Sequence, residues 1–342
     1  MTLSADKPRS ATPQEHLDAV SRLLAKQRLR FVNRQPGAGS HWYENFGYYA
    51  QDEQAKAYRA MGRLCRLDLR TGKLTVLLDD AGGSVRDPQV DYGGTKILFS
   101  YRPGGSDYFH LYEIGGDGSA LRQLTDGPFD DIEPTYLPDG GILFCSSRCK
   151  RFVACWYTPV ATLHRMDADG GNLRILSSNI VHENTPSVLP DGRIMYTRWE
   201  YIDRDPSKFH ALWTMNPDGT DQMVFYGNMH PGCLMIDAKP ILGTRQVLAI
   251  FSTEHGSPEH RGNVVIVDPE AGPDRLENAR FLNGPSRSME VGYRNPYPLA
   301  AGVFLVAEDF REGAQKASRL LLMDDQGRWS EIYRAENGLL VH

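Results

Sequence analysis

The 342-residue sequence has no long apolar run and no strong excess of charge of either sign. No stretch approaches the roughly 18 consecutive apolar residues that a membrane-spanning helix needs. The net charge is −5, and Lys150-Arg151 is not part of a longer basic stripe. Because nucleic-acid binding depends on clustered Lys and Arg, these features predict neither a nucleic-acid partner nor a membrane span.

Cysteine is scarce, and its spacing excludes two common uses. The five cysteines are an odd number in a chain long enough to build its own apolar core, so no disulfide framework is required. No Cys-x-x-Cys pair and no Cys-x-x-Cys-His segment occurs, so covalent haem is not expected. The N-terminus lacks the apolar core of a signal peptide, which leaves a cytoplasmic protein or an exported one whose leader has been removed.

Complete catalytic motifs are also missing. The sequence contains no Gly-x-Ser-x-Gly nucleophile elbow, no phosphate-binding Gly-x-x-x-x-Gly-Lys and no Gly-x-Gly-x-x-Gly following a strand. Whether the protein is an enzyme is therefore left open by its motifs.

The chain does contain an internal repeat. The stretch DIEPTYLPDGGILF, residues 131–144, returns as ENTPSVLPDGRIMY, residues 183–196. A Pro-Asp-Gly turn between two apolar runs is typical of a tight hairpin. A second Gly-containing turn follows in each unit, at Gly170 and Gly219, so each unit is predicted to contain four strands.

The spacing of the repeat predicts a β-propeller. Aligning units on Pro88, Pro134, Pro186, Pro240 and Pro296 gives spacings of 46, 52, 54 and 56 residues. Four-stranded units of that length are typical of propeller blades. We expect an all-β, six-bladed propeller over residues 29–342, in which the strand at 338–341 closes the first blade. Residues 1–28 form an N-terminal extension, with one helix predicted near 13–27.

In a propeller, the loops that enter the first strand and join the second to the third lie on one face. The long loops 102–108, 147–161, 198–210 and 253–262 fall on this loop face, where a site is favoured. Polar residues precede each opening proline and are expected to surround the channel mouth, either binding a ligand or capping loops. The candidate ligand-binding residues are Arg86, Asp87, Asp131, Glu133, His182, Glu183, Asn184, Asp237 and Arg294. Lys239 and Asn295 belong to the same polar pattern.

A metal centre on the loop face is the alternative. Thiolate and imidazole are ligands of zinc, copper and iron. The candidate metal ligands are Cys149, Cys155, His230, His255 and His260. Their spacing matches no metal-binding motif, so ordinary loop cysteines and hydrogen-bonded histidines are the competing interpretation.

Several phrases resemble one family. Ser84–Val90, Asp130–Pro134, Leu163–Gly170, Thr185–Arg193 and Tyr196–Tyr201 are similar to segments of the propeller proteins grouped with the hydrazine synthase alpha subunit, and the turns are similar to TolB-like repeats. The resemblance implies a propeller fold, an exported protein and a place in a longer chain or a multi-subunit assembly. Hydrazine synthase is a multi-haem enzyme, and this sequence lacks the haem-attachment segments.

Three hypotheses about function follow. The first is a propeller scaffold that binds a small molecule or a protein partner at the channel mouth. The second is a metal-dependent or redox enzyme that uses the Cys/His residues. The third is hydrolysis by carboxylates such as Glu133 and Glu183, since paired carboxylates can act as acid and base.

Overall fold

The computed structural model describes residues 28–44, 56–253, 255–282, 292–336 and 338–342. The helix predicted near residues 13–27 lies outside these ranges. Every regular element within them is a β-strand or a single turn of 3-10 helix. The prediction of an all-β fold is therefore confirmed for this part of the chain. None of its helical turns is long and apolar enough to cross a membrane.

Strands follow one another in groups of four, and neighbours within a group pair antiparallel. The first sheet contains β1 (Arg28–Arg34), β2 (Gly62–Asp68) and β3 (Lys73–Asp80). The second sheet contains β4 (Ser84–Val90), β5 (Lys96–Arg102), β6 (His110–Gly115) and β7 (Arg122–Gln123). The third contains β8 (Asp131–Tyr136), β9 (Ile142–Ser146), β10 (Thr162–Met166) and β11 (Arg174–Ile175).

The next two groups are joined into one eight-stranded sheet. The first of these groups contains β12 (Glu183–Val188), β13 (Ile194–Trp199), β14 (Phe209–Met215) and β15 (Met223–Tyr226). The second contains β16 (Cys233–Pro240), β17 (Val247–Thr253), β18 (Asn263–Val267) and β19 (Ala279–Phe281). A short parallel pairing between β14 and β16, at Phe209↔Cys233 and His210↔Leu234, connects them.

The last sheet contains β20 (Gly292–Ala300), β21 (Val303–Glu312), β22 (Gln315–Asp324) and β23 (Trp329–Arg334). A final strand, β24 (Leu340–Val341), adds to the first sheet by pairing with Asn33 and Arg34 of β1. The 3-10 turns are Ser147–Cys149, Pro258–His260, Pro269–Ala271 and Leu276–Asn278. The ends of the described chain therefore share one sheet.

The repeated Pro-Asp-Gly segments form the predicted hairpin turns between the first and second strands of their sheets. Gly140 and Gly192 both have φ = 88°, a left-handed conformation that glycine adopts without steric cost. In the first turn, Leu137 N donates to Gly141 O over 2.8 Å. The strand–turn–strand interpretation of the repeat is confirmed.

Apolar side chains fill the spaces between neighbouring sheets. Phe99 of the second sheet packs in one cluster with Val32 and Leu64 of the first. Phe31 of the first sheet shares another cluster with Leu305 of the last, so the first and last sheets are in contact. Truncating such a buried ring to alanine costs about 3–5 kcal/mol, so these clusters hold neighbouring sheets in fixed relative positions.

Candidate functional site: a polar cavity between the first strands

A cavity of about 380 Å³ is lined by the first strands of successive sheets. Strands β4, β8, β12, β16 and β20 each contribute side chains to it, and His342 contributes from the end that follows β24. We call this space the channel cavity. Its size falls within the range of roughly 300–1,000 Å³ that is typical of small-molecule pockets.

A repeated backbone irregularity directs side chains into the channel cavity. Each of these five strands breaks its pairing register at a β-bulge, and β20 has a second break near its end. One residue in each bulge has a positive φ, between 48° and 57°. These residues are Asp87, Glu133, Thr185, Asp237 and Asn295. All five line the cavity, so the bulge places a polar side chain there from each sheet.

The bulges explain an error in the proline alignment. Pro88, Pro134, Pro186 and Pro296 each directly follow the bulge residue, but in β16 that position belongs to Ala238. Pro240 lies two residues later, at the end of β16. The repeated structural feature is thus the left-handed residue itself. For residues other than glycine this conformation costs on the order of 1–3 kcal/mol, and such strain concentrates at functional sites.

On one side of the cavity, the charged groups form a continuous chain of ion pairs and hydrogen bonds. We call this side the paired arc; its members are Arg34, Arg86, Asp87, Glu133, Glu259 and His342. Arg86 Nε donates to Asp87 Oδ2 over 2.6 Å, and Arg86 Nη2 donates to Glu133 Oε1 over 3.1 Å. Arg34 donates to both carboxylate oxygens of Glu259. His342 Nε2 lies 2.8 Å from Asp87 Oδ1.

Ionisation within the paired arc follows from these contacts. Burial alone would raise the pKa of Asp87, but the charge of Arg86 and the hydrogen bond from His342 outweigh it and hold that pKa well below its usual range. Arg34 likewise holds the pKa of Glu259 below its usual range against the effect of burial. Burial is the main reason that the pKa of His342 falls to about 4. Within the arc, Asp87 and Glu259 are therefore ionised and the His342 imidazole is neutral at neutral pH.

Tyr58 lies against both arginines of the paired arc. The Arg34 guanidinium lies 4.5 Å from the centre of the Tyr58 ring, and that of Arg86 lies 4.6 Å away. Such stacking stabilises a cation, and it holds each arginine plane in place. Burial raises the pKa of Tyr58 to about 12, although both arginines oppose the shift. The hydroxyl is therefore neutral at physiological pH.

The other side of the cavity differs, because its polar atoms have fewer and longer contacts with the described residues. We call this side the open arc; its members are Asp237, Lys239 and Asn295. The Lys239 ammonium makes no ion pair or hydrogen bond with any residue in the described ranges. Asp237 Oδ2 is buried without a hydrogen bond there, and the nearest cation is His260 Nδ1 at 3.8 Å. Asn295 Oδ1 accepts only a long bond, 3.4 Å, from Arg294 Nη1.

The electrostatics of the open arc reflect its burial. Burial lowers the pKa of Lys239, and the nearby carboxylates of Asp237 and Glu133 oppose that shift. Burial would raise the pKa of Asp237, but the interaction with His260 outweighs it, so the net shift is downward. The same interaction raises the pKa of His260 against the effect of burial. An ionised carboxylate and a half-buried amine thus face the cavity.

Four of the nine candidate ligand-binding residues line the channel cavity: Arg86, Asp87, Glu133 and Asp237. Asn184 supports this group indirectly, since its amide donates to Glu133 Oε2 over 3.2 Å. The other four candidates have different contacts. Asp131 pairs with Arg148, Glu183 accepts from Ser177, His182 packs beside Trp42, and Arg294 binds both oxygens of Asp309.

Strand alternation explains why Asp131 and Glu183 do not line the cavity. Both lie two residues before the bulge residue of their strand, and the bulge interrupts the regular alternation of side chains between faces. Their carboxylates are buried against the second strand of the sheet, where Asp131 Oδ1 accepts from Ser146 over 2.6 Å and Arg198 lies 3.8 Å from Glu183. Of the two carboxylates named in the hydrolysis hypothesis, Glu133 lines the channel cavity and Glu183 does not.

The five candidate metal ligands do not converge. Cys149 donates to Val160 O, His255 contacts Ser207 O, His230 lies beside Tyr226, and His260 faces Asp237. Cys155 is exposed on a loop. Within the described ranges, no group of three or more His, Cys, Asp or Glu side chains is arranged to hold a metal ion.

Sequence reasoning missed Arg34, Tyr58, Thr185, Glu259 and His342, all of which line the cavity. Thr185 precedes a repeated proline and was overlooked because it carries no charge. Arg34 and Tyr58 come from segments before the first complete repeat, so no repeat pattern identifies them. Glu259 lies in a 3-10 turn of a long loop.

A cluster of aromatic rings packs among the loops at the beginnings of β12 and β14 and the end of β13. We call it the aromatic cluster; its members are Trp42, Tyr43, His182, Trp199, His210 and His255. The Trp42 ring centre lies 5.4 Å from that of His210 and 6.1 Å from that of His260. The cluster therefore adjoins the channel cavity through His260, which also faces Asp237.

His210 in the aromatic cluster is unusual, because neither ring nitrogen has a hydrogen-bond partner among the described residues. Burial, together with the nearby His255 and His182, holds the pKa of His210 well below its usual range. A buried imidazole without partners costs free energy, since its polar atoms have lost water and gained nothing.

Comparison with solved structures shows the fold of the chain. No family model and no curated sequence matches the chain. Hydrazine synthase from Kuenenia stuttgartiensis matches 94% of this chain at 18% identity with a TM-score of 0.74. TolB from Acinetobacter baumannii matches 92% at 14% identity with a TM-score of 0.61, and a putative TolB from Agrobacterium tumefaciens matches 90% at 12% identity with a TM-score of 0.54.

The coverage of the matched proteins limits what the comparison implies. The chain spans 47% of the hydrazine synthase chain and 65% of the Acinetobacter TolB chain. At these identities the likeness concerns the fold alone. It confirms the structural part of the resemblance predicted from the sequence: the chain has a propeller-type fold similar to those of hydrazine synthase and TolB.

Proposed function

We propose that residues 29–342 form a six-bladed propeller whose channel cavity binds a small polar ligand. The six groups of strands, including the β1–β3 group completed by β24, correspond to six blades. The pairing of β24 with β1 and the apolar cluster shared by the first and last sheets support closure of the ring. In that arrangement β24 covers the inner edge of β1, and the outer edge strands that remain are short, as is typical of propellers.

One observation carries the binding function: the cavity is lined by polar side chains that strained bulges hold in place. Asp87, Glu133, Thr185, Asp237 and Asn295 all adopt the left-handed conformation at equivalent positions. A structural role alone would be served by side chains that satisfy one another, as in the paired arc. The open arc instead presents Asp237 and Lys239 to a cavity of ligand size.

The proposal is tested by blocking the cavity. Gln89 lines it from β4, whereas Gln123 lies exposed on the outer strand β7. A library of small polar compounds is screened by ligand-observed NMR against the parent protein, Gln89→Trp and Gln123→Trp. We expect compounds that bind the parent and Gln123→Trp but not Gln89→Trp. Equal binding to all three proteins, or no binding compound at all, would contradict a ligand site in the channel.

A second proposal concerns assembly and location. We propose that the chain works in a multi-subunit assembly and in an exported setting, as its sequence resemblance to the hydrazine synthase alpha subunit group implies; the likeness of its fold to hydrazine synthase supports that resemblance. The metal-dependent alternative is not proposed, because no observation among the described residues favours it.

A further inference from the structure

The open arc contains one cationic and one anionic group. The Lys239 ammonium makes no ion pair or hydrogen bond in the described part of the chain, and Asp237 Oδ2 has only the 3.8 Å ion pair with His260 Nδ1, which is longer than a hydrogen bond. The Lys239 ammonium and Asp237 Oδ2 both belong to cavity-lining residues of β16. Asp237 is only 7% exposed, so its unpaired oxygen has little access to bulk water. Leaving a buried charged oxygen without a donor is expensive, and a cavity next to it gives room for a ligand that supplies one.

The ion pairs of the paired arc restrict where an anionic group of that ligand can bind. Arg34 and Arg86 are already engaged by Glu259, Asp87 and Glu133, so these two arginines are not the primary anion-binding groups. Lys239 is the cation beside Asp237 and Asn295, and it makes no ion pair or hydrogen bond in the described ranges. An anionic group on the ligand would therefore bind at Lys239, where it replaces water with a charge-assisted hydrogen bond.

Asp237 adds the second requirement. An ionised carboxylate only accepts hydrogen bonds, so the ligand must present a hydroxyl or an ammonium group to Oδ2. Asn295 offers both an amide donor and an acceptor from the neighbouring strand β20. It fits a group that both donates and accepts, such as a hydroxyl.

We propose that the channel cavity takes a small carboxylate that also carries hydroxyl or amino groups, with the carboxylate on Lys239 and a hydrogen-donating group on Asp237 and Asn295. The inference rests on the proposed binding function and names the ligand class for that site. A carboxylate without donors would leave Asp237 unsatisfied, and a neutral polyol would leave Lys239 without a counter-charge.

Three six-carbon probes separate these cases: D-gluconate carries a carboxylate and hydroxyls, D-glucitol hydroxyls only, and hexanoate a carboxylate only. Binding to the parent protein is measured by titration calorimetry and ligand-observed NMR at constant ionic strength. We expect gluconate to bind about tenfold or more tightly than either of the other two, since one charge-assisted hydrogen bond is worth about that factor or more.

Substitutions test which side chains contact the carboxylate and the hydroxyl groups of gluconate. Lys239→Met is expected to weaken gluconate binding about 10- to 100-fold, whereas Lys239→Arg retains the charge and should restore most of it. Asp237→Asn should reduce the preference for gluconate over hexanoate. Lys73→Met removes an exposed lysine on β3 and serves as the control, with unchanged binding expected.

Two outcomes would overturn the proposal: glucitol binding as tightly as gluconate, or gluconate binding that Lys239→Met leaves intact. Absence of gluconate binding would also reject it. In that case, the Gln89→Trp screen tells whether the site itself is wrong. If other compounds bind and Gln89→Trp blocks them, the ligand class is wrong and the binding function stands.

Discussion

The two sides of the channel cavity use the same kinds of residue in opposite ways. On the paired arc, Arg86 lies 2.6 Å from Asp87 and 3.1 Å from Glu133, so each charge satisfies its neighbour. On the open arc, Lys239 and Asp237 belong to one strand but form no ion pair with each other, and Asp237 Oδ2 has only the longer ion pair with His260 Nδ1 at 3.8 Å. Buried charges that neutralise one another maintain a structure, whereas buried charges that face a cavity remain available to a ligand.

The largest expected effect comes from breaking the paired arc. Arg86→Met leaves the buried carboxylates of Asp87 and Glu133 without their cation, and we expect it to lower the free energy of unfolding by about 3–5 kcal/mol. Arg193→Met breaks a comparable pair, Arg193–Asp191 at 2.8 Å, on the exposed Pro-Asp-Gly turn and should cost less than about 1 kcal/mol. Urea denaturation measures both. Equal losses for the two variants would show that the paired arc has no special structural role.

The second-largest effect on stability is expected at low pH, because protons weaken the interactions of the paired arc and give its imidazole a charge. Burial holds the pKa of His342 at about 4 and that of His182 at about 3, so both are neutral when folded but titrate near pH 6.5 when unfolded. Their contribution to stability is present above that pH and is lost as the pH falls. His260 has a raised pKa and works in the opposite direction.

We expect the free energy of unfolding to fall by about 2–4 kcal/mol between pH 7 and pH 5, before the carboxylates titrate. Asp87 and Glu259 have lowered pKa values, so their contribution is lost only below about pH 4. Urea midpoints measured at half-unit pH intervals check both steps. A stability that is constant from pH 7 to pH 5 would contradict the neutral, buried imidazoles.

His210 provides a measure of what an unpaired polar group costs when it does not line the channel cavity. Its nitrogens lack partners among the described residues, but it packs inside the aromatic cluster and does not line the cavity. We expect His210→Phe to raise the free energy of unfolding by about 1 kcal/mol, since the new ring removes unsatisfied atoms. His164→Phe is the control, because buried His164 keeps a 2.9 Å contact between Nδ1 and Thr162 O. That control should be destabilising, and thermal melts compare the two; the reverse order would be evidence of an unseen partner for His210.

The smallest effect is expected at the open arc. Lys239→Met removes a half-buried amine that makes no bond in the described chain, so the free energy of unfolding should change by less than about 1 kcal/mol. Urea denaturation beside Arg86→Met gives the comparison. A loss as large as that of Arg86→Met would mean that Lys239 belongs to the structural network, and the distinction between the arcs would fail.

Much of the fold could be predicted from the sequence, because turn residues and strand alternation are local signals. The Pro-Asp-Gly turns revealed the hairpins, and the repeat spacing led to the four-stranded groups. The site was predicted only in part. Asp87, Glu133 and Asp237 follow from the polar residue at each bulge, but Asp131 and Glu183 in the same phrases bury their side chains elsewhere.

The remaining site residues depend on distant segments. Arg34 reaches Glu259 across 225 positions of sequence, and His342 reaches Asp87 across 255. No local sequence pattern predicts such contacts, because they form only when strands from distant parts of the chain line the same cavity. The alignment on prolines also failed at Pro240. The feature that recurs in each strand is a bulge residue with a left-handed backbone, here Asp237, and a proline does not follow it at a fixed distance.

The most direct measurement is a high-resolution crystal structure of the protein soaked in D-gluconate. We expect electron density for the ligand in the channel cavity, with its carboxylate at Lys239 Nζ and a hydroxyl at Asp237 Oδ2, and with the paired arc unchanged. A cavity without ligand, in which Lys239 Nζ has turned to pair directly with Asp237, would contradict the division between a paired scaffold and an open binding site.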